Sequence, residues 1–285
     1  MRISKVGVIG AGTMGNGIAQ VCASSGFDVT LVDVSEQALS RAMSVMNSSL
    51  DRMVNKGVID EYARSEALKR IRTSTGIESL SGVDLVIEAA SEAESVKGAI
   101  INKVDEIVSD SAIIASNTSS ISITKLAAAS RKPERVVGMH FFNPVPVMKL
   151  VEIIAGLQTS EQTLTAVTAF TADIKKTSIN VKNSAGFAVN RILVPMINEA
   201  VFVLQEGIAS AEDIDQGMRL GCNHVIGPLA LADLIGLDTL LAVMEVFYDR
   251  FNDSKYRPAP LLKEMVEAGY LGRKSGRGFY SYENC

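Results

Sequence analysis

The sequence predicts an α/β protein: a doubly wound sheet carrying an inserted helical pair over residues 1–183, followed by an all-α domain over residues 184–285. Three observations predict it. Short β-branched runs alternate with helical patterns up to about residue 182, which is the rhythm of a parallel sheet covered on both faces. The first of these runs feeds directly into a glycine-rich loop. Beyond Lys182 the strand signals stop and apolar residues recur at helical spacing. Length agrees, because 285 residues at roughly 150 per domain make about two domains. A chain of that size buries around three quarters of the surface it exposes when unfolded.

The strand candidates are VGVIG (6–10), DVTLVD (28–33), VDLVIEA (83–89), AIIAS (112–116), RVVGMHF (135–141) and KLVEII (149–154). Between Val34 and Arg70 lies a charged stretch with Ala38, Ala42, Val45, Met46, Ser49 and Met53 at helical spacing. It is longer than a usual crossover helix and reads as an inserted helical pair. After Lys182 come GFAVNRILVPMINEAVFVLQEG, ASAEDIDQGMRLG and a Pro228 start into LALADLIGLDTLLAVMEVFYDRF, all helical in pattern. Gly207 and Gly221 follow periodic segments, where helix-ending glycines belong, and Pro228 suits a first helical turn. The segment GRKSGRGFYSY is a glycine-rich turn followed by aromatics that dock on the core.

Composition removes several function classes. The 28 Lys and Arg against 32 Asp and Glu leave a net charge of −4, with no like-charge block of the kind that binds nucleic acid. No nucleic-acid partner is expected. The longest apolar runs hold five residues, LLAVM at 240–244 among them, against roughly 20 needed to span a bilayer, so no membrane partner is expected either. MRISKVGVIG lacks the apolar core and cleavage site of a secretory signal, and a cytoplasmic location is expected. Cys22, Cys222 and Cys285 are odd in number and far apart, which indicates reduced thiols rather than disulfides or a zinc site.

The strongest local signal is Val6-Gly7-Val8-Ile9-Gly10-Ala11-Gly12-Thr13-Met14-Gly15, a strand feeding G-x-G-x-x-G and then a helical run. Gly10 permits the tight turn, Gly12 lets the backbone approach a pyrophosphate, and Gly15 lets helix and strand pack closely. The helix start, with Thr13 and Met14, offers free N–H groups and a positive dipole end to the phosphates. Asp33 ends the second strand 18 residues beyond Gly15, near the spacing of the acid that binds the adenosine ribose. This is a Rossmann-type unit. Its expected cofactor is NAD, since a carboxylate repels a 2′-phosphate and Val34 and Ser35 supply no arginine; one acid leaves NADP open.

The chain has two histidines. His140 closes a strand and opens the loop FFNPVPV, at the strand end where open α/β sheets bind ligands. His224 lies in a helix-connecting loop and is assigned a structural role. Glu152 is flanked by Leu150, Val151, Ile153 and Ile154, where an ionised acid is costly to bury unless paired. His140 is its candidate partner, because a carboxylate on one imidazole nitrogen raises basicity at the other. A salt bridge to Lys149 is the alternative.

The strings GMHFFNPVPVMKLVE (138–152), SNTSS (116–120), GFAVNRIL (186–193), GPLALADLIGLD (227–238) and the closing RPAPLL…GRKSGRGFYSY (257–282) resemble the (S)-3-hydroxyacyl-CoA dehydrogenase family, over nearly the whole chain. The resemblance implies an NAD-dependent oxidoreductase in which His140 and Glu152 are the catalytic dyad. It implies that Ser119 and Asn190 hold the reacting oxygen region of an acyl-CoA substrate, and that Asn117, Glu92 and Lys97 contact the cofactor. His140 would take the 3-hydroxyl proton as C3 gives up a hydride. Arg52 and Lys56, spaced i, i+4 on the inserted helix, fall where the family places basic residues for the CoA phosphates. A homodimer or higher homo-oligomer is implied as well.

Two positions depart from the usual family strings: Ala185 stands where proline is expected, and Val225-Ile226 interrupts the usual NHPMGP. They bear on loop geometry at the domain junction or subunit interface. Two rival readings remain open, a related dehydrogenase acting on a sugar acid and a non-catalytic NAD-binding protein. The basic pair Arg52 and Lys56 separates the first rival, and turnover separates the second.

Overall fold

A computed structural model describes residues 2–282; Cys285 lies outside the described residues. Contacts divide the chain into two compact units, the first ending at Ser184 and the second starting at Ala185.

The first unit is built on β1 (Lys5–Ile9), β2 (Asp28–Val32), β3 (Ile71–Ser74), β4 (Leu85–Glu88), β5 (Ile113–Ser116), β6 (Val136–Phe141), β7 (Leu150–Ala155) and β8 (Thr177–Lys182). Among the described residues they form one sheet in the order β3-β2-β1-β4-β5-β6-β7-β8. The chain winds outward from β1 toward β3, then returns to β4 on the other side of β1. That reversal opens a crevice at the carboxyl ends of β1 and β4, where open α/β sheets bind ligands. The inner strands β4, β5 and β6 are buried at every residue, because helices cover both faces, and so read as continuous apolar runs.

Two strands lacked such runs. β3 (IRTS) buries Ile71 alone, and β8 (TSINVK) buries no residue fully. Both are edge strands facing solvent along much of their length, so their polar content hides them in a hydrophobic scan. β7 pairs antiparallel with β6, whereas β8 pairs parallel with β7. The loop joining β6 to β7 is too short for a parallel crossover, which needs about a dozen residues or more.

The connecting helices are α1 (Thr13–Ser24), α2 (Glu36–Asn55), α3 (Glu61–Lys69), α4 (Glu94–Ile107), α5 (Ile123–Ala127) and α6 (Glu161–Asp173). The stretch between β2 and β3 is a helical pair. Ser35 starts α2 by accepting the Ala38 N–H, and Asp60 starts α3 by accepting that of Ala63. α2 buries Leu39, Ala42, Met46 and Leu50 along one stripe. Arg64 of α3 ties the pair through Asp51 at 2.6 Å and Asn47 at 2.7 Å. The main core lies between sheet and helices, with Val8, Ile18, Leu31, Met46, Ile87 and Val137 among its buried members. Cys22 belongs to it, and burial pushes its thiol up to about 12; Cys222 is exposed.

Near the amino ends of β5 and β6, Asp105 of α4 accepts from Arg135, Ser130 and Arg131, each at 2.6 Å. Burial opposes its charge, but the Arg135, Ser130 and Arg131 hydrogen bonds outweigh burial and hold the carboxyl far below the usual range. Its stabilisation is therefore present at neutral pH and lost as pH falls through that depressed value. Asp105→Ala leaves the buried Arg135 guanidinium uncompensated, and is expected to lower the unfolding free energy by about 3–5 kcal/mol. Urea unfolding at neutral pH checks this; an unchanged midpoint would overturn it.

The second unit contains α7 (Val189–Gln205), α8 (Ala211–Gly221), α9 (Pro228–Ile235), α10 (Leu237–Phe251) and α11 (Pro260–Glu267). Its own core gathers Ile197, Val201, Leu229, Leu240, Met244 and Phe247, with Ala185, Phe279 and Tyr280 packed against it. The run after Pro228 is two helices, divided at Gly236, whose φ of 102° is open to glycine and not to the neighbouring side chains. Asp215 caps α9 by accepting the Leu229 and Ala230 N–H groups at 2.8 Å each, and Tyr280 donates to it from the C-terminal segment. Asp233 fastens the same segment through the Phe279 and Tyr280 N–H groups. The His224 N–H donates to Met218 O, closing the loop after α8. No described helix is long and apolar enough to cross a membrane.

Candidate active site

The glycine loop is shaped by three different constraints. Gly10 has φ +99°, and a Cβ there would press on the backbone at Ala89. A Cβ at Gly15 would collide with Gly10 O, so helix and loop can approach only through glycine. Gly12 differs, since a Cβ there would meet nothing within 4 Å. The loop's backbone is thus open above Gly12, and the first turn of α1 carries no acid and no side-chain cap. Uncapped N–H groups at a helix start attract anions, so these residues fit the pyrophosphate of a dinucleotide. Thr13 lies beside them, while Met14 packs toward the core. Asp33 follows β2. Its Oδ2 accepts the Ala11 N–H at 2.8 Å and its Oδ1 the Ser35 N–H at 2.9 Å, which joins the end of β2 to the loop.

A cleft of about 840 Å³ extends from this loop along α2. Gly12, Thr13, Asp33, Arg52, Lys56 and Val145 all line it. The basic pair on the inserted helix and the dinucleotide loop therefore face one continuous space.

β4, β5 and β6 run parallel to β1, so their carboxyl ends share its edge of the sheet. Asn117 follows β5; its Oδ1 accepts the Phe141 N–H at 2.8 Å. Glu92, in the loop after β4, organises the next turn. Its Oε1 accepts from Thr118 Oγ1 at 2.5 Å, the Ser119 and Ser120 N–H groups at 2.8 and 3.1 Å, and the Ser119 and Ser120 hydroxyls at 3.2 and 3.1 Å. Burial opposes the charge on Glu92, but the Lys97 ammonium and the Thr118 and Ser119 donors hold its carboxyl below the usual range. Lys97, 1% exposed, spends its ammonium on Glu88 at 2.9 Å, Glu92 at 3.3 Å and Ala90 O at 3.2 Å. Its link to the turn that carries Ser119 runs through Glu92.

His140 is the penultimate residue of β6. The β6–β7 register sets it directly opposite Glu152, and residues paired across an antiparallel ladder point to the same face with Cβ atoms about 5 Å apart. The side chains meet there, His140 Nδ1 to Glu152 Oε2 at 2.7 Å. Glu152 is wholly buried and His140 is 7% exposed, with the Phe142 ring 4.6 Å from the imidazole. Glu152 is not on an edge strand, because β8 covers that side of β7. A carboxylate at Nδ1 selects the tautomer that leaves Nε2 as the basic nitrogen. Asn190 stands in the first turn of α7, in the second unit.

Sequence reasoning missed two side chains. Glu88, wholly buried at the end of β4, looked like the close of an apolar strand. Lys176 donates to Val145 O at 2.7 Å and Met148 O at 2.6 Å, clamping the loop after His140; burial pulls its pKa down. Nothing local relates Lys176 to a loop so far away in sequence.

A glycine loop followed by an acid at the end of β2, with a buried imidazole–carboxylate pair at the carboxyl edge of the same sheet, has the parts of a dehydrogenase, and that is the class of protein the fold and site define. Comparison with known proteins makes the assignment specific. The family model described as 3-hydroxyacyl-CoA dehydrogenase, NAD binding domain, matches residues 5–184, and the 3-hydroxyacyl-CoA dehydrogenase C-terminal domain matches residues 186–282. The 3-hydroxybutyryl-CoA dehydrogenase of Bradyrhizobium diazoefficiens is 52% identical over 283 residues, 99% of this chain and 97% of the relative. That of Clostridioides difficile is 47% identical over 278 residues, 98% of this chain and 99% of the relative. A crystal structure of (S)-3-hydroxybutyryl-CoA dehydrogenase from Ralstonia eutropha matches with a TM-score of 0.97 at 59% identity, covering 99% of this chain and 100% of that one. The chain belongs to the 3-hydroxyacyl-CoA dehydrogenase family and is an NAD-dependent oxidoreductase.

Proposed function

We propose that the chain interconverts (S)-3-hydroxybutyryl-CoA and acetoacetyl-CoA, with His140 and Glu152 as its proton-handling pair. The observation that carries this reading is the buried 2.7 Å contact between them at the ligand-binding edge of an NAD-binding sheet. The names carried by the relatives above support the four-carbon substrate.

Gly10, Gly12, Thr13, Gly15 and Asp33 hold the dinucleotide, which when bound supplies the hydride acceptor. His140 Nε2 takes the 3-hydroxyl proton as the C3–H bond gives up its hydride, leaving a 3-keto thioester and an imidazolium. Glu152 stabilises that imidazolium. In reduction the protonated His140 returns its proton to the carbonyl oxygen. Ser119 holds the reacting oxygen, Asn117 and Glu92 border the cofactor, and Arg52 and Lys56 meet the CoA phosphates. The second unit, which starts at Ala185, is the substrate and dimerisation domain; its exposed Ile192, Ile208, Leu220 and Val225 support pairing of two copies.

The decisive measurement is NADH oxidation with acetoacetyl-CoA, with longer 3-ketoacyl-CoAs and NADPH as comparators. No turnover with any acyl-CoA would overturn the reading. Replacing Arg52 and Lys56 together by alanine is expected to raise the KM for acetoacetyl-CoA about tenfold or more, since each phosphate contact contributes roughly 1 kcal/mol or more. A sugar-acid enzyme would show no such loss. Asp33→Ala is expected to weaken NAD relative to NADP, read as the ratio of the two dissociation constants; an unchanged ratio would remove Asp33 from the ribose site.

A further inference from the structure

The Glu88 side chain accepts four hydrogen bonds from three groups, and its carbonyl accepts another. Oε1 accepts the Ala90 N–H at 2.7 Å and Lys97 Nζ at 2.9 Å; Oε2 accepts Ser116 Oγ at 2.6 Å and Lys97 Nζ at 3.1 Å. Its carbonyl accepts the Asn117 N–H at 2.7 Å. The β4–β5 register puts Glu88 directly beside Ser116, one residue before the turn that carries Asn117 and Ser119. Glu88 and Lys97 are 0% and 1% exposed, and a lone charge of either sign at such a depth is strongly disfavoured. The pair is therefore locked. Lys97 in turn reaches Glu92 at 3.3 Å.

Glu92 Oε1 is offered five donors by Thr118, Ser119 and Ser120, while a carboxylate oxygen presents about two lone pairs. The donors compete. The longest of the five contacts, 3.2 Å, is the Ser119 hydroxyl, which makes it the donor most easily turned toward another acceptor. Glu92 thus anchors the turn through Thr118 and the main-chain N–H groups, and leaves the Ser119 hydroxyl available.

We propose that Glu88 is a positioning residue for the reaction: by fixing the Lys97 ammonium it places Glu92, and through Glu92 it sets the turn from which Ser119 offers its hydroxyl to the substrate oxygen. This rests on the reading of Ser119 given above. Glu88→Gln removes the charge that holds Lys97 and can turn an N–H toward the ammonium, so Lys97 shifts its weight to Glu92 and draws that carboxylate from the turn.

The test is a double-mutant cycle on kcat with acetoacetyl-CoA and NADH, run with Glu88→Gln, Ser119→Ala and the double variant. Glu88→Gln is expected to lower kcat by roughly 10- to 100-fold, since a displacement of about 1 Å can cost as much. In the Ser119→Ala background the same substitution is expected to have little further effect. Amide hydrogen exchange supplies a second readout: the Ser119 and Ser120 N–H groups are expected to exchange faster in Glu88→Gln, with the strands of the sheet unchanged. If Glu88→Gln does not fold, the Glu88→Gln/Lys97→Met double substitution removes both buried charges at once, and the same coupling to Ser119 is expected. Equal losses with and without Ser119, or unaltered exchange at Ser119 and Ser120, would overturn the proposal. If Ser119→Ala alone turns over like the wild type, the role given to Ser119 fails and the proposal fails with it; an impaired Ser119→Ala with additive losses sinks the proposal alone.

Discussion

Replacing His140 by glutamine is expected to lower kcat by about 10²- to 10⁴-fold, the range that a positioned general acid or base contributes. Glutamine keeps a polar side chain at the end of β6 and can still hydrogen-bond Glu152, but its amide neither accepts nor returns a proton at neutral pH. The glycine loop and Asp33 belong to other elements, so NADH affinity, read by fluorescence titration, is expected to stay at the wild-type value. Wild-type-like turnover would show that the base lies elsewhere. A parallel loss of NADH binding would show that His140 holds the loop rather than the proton.

Glu152→Gln is expected to cost a comparable factor, about 10²- to 10⁴-fold in kcat, by two routes. A neutral amide no longer stabilises the imidazolium that forms as the proton moves. It can also present an N–H to Nδ1, which puts the imidazole proton on Nε2 and removes the lone pair that accepts from the substrate. The side chain is wholly buried but remains similar in volume and hydrogen-bonded, so the expected change in thermal stability is small beside the change in rate. Activity within the wild-type range would leave Glu152 a structural partner only. Glu152→Asp retains the charge at a longer reach and is expected to fall between the two.

Much of this site was legible because its parts depend on local spacing. Gly10, Gly12, Gly15 and Asp33 report a strand, a turn and a helix start that follow one another along the chain, and the need for glycine at Gly15 comes from the nearby Gly10 carbonyl. His140 and Glu152 lay close enough in sequence to nominate one another, and a single antiparallel ladder brings them together. The edge strands β3 and β8 were harder, because an edge exposed to water needs no apolar run. The direction of β7 depended on a loop length, and the division of α9 from α10 on the φ of Gly236.

Glu88, Lys97 and Lys176 show where local reading stops. The sequence alone settles the buried strands and the main helical segments, that a glycine loop precedes α1, and which acid, imidazole and amide types are available, since these follow from periodicity and backbone sterics over a few residues. It does not settle which buried charge neutralises which. Glu88 and Ser116 are neighbours because β4 pairs with β5, Lys97 because α4 packs back over that edge, and Lys176 reaches the loop after His140 from the residue before β8. Burial makes each pairing obligatory, for an ion removed from water must find its counter-charge or donors nearby. Which partner it finds depends on distances that exist only once the sheet has assembled.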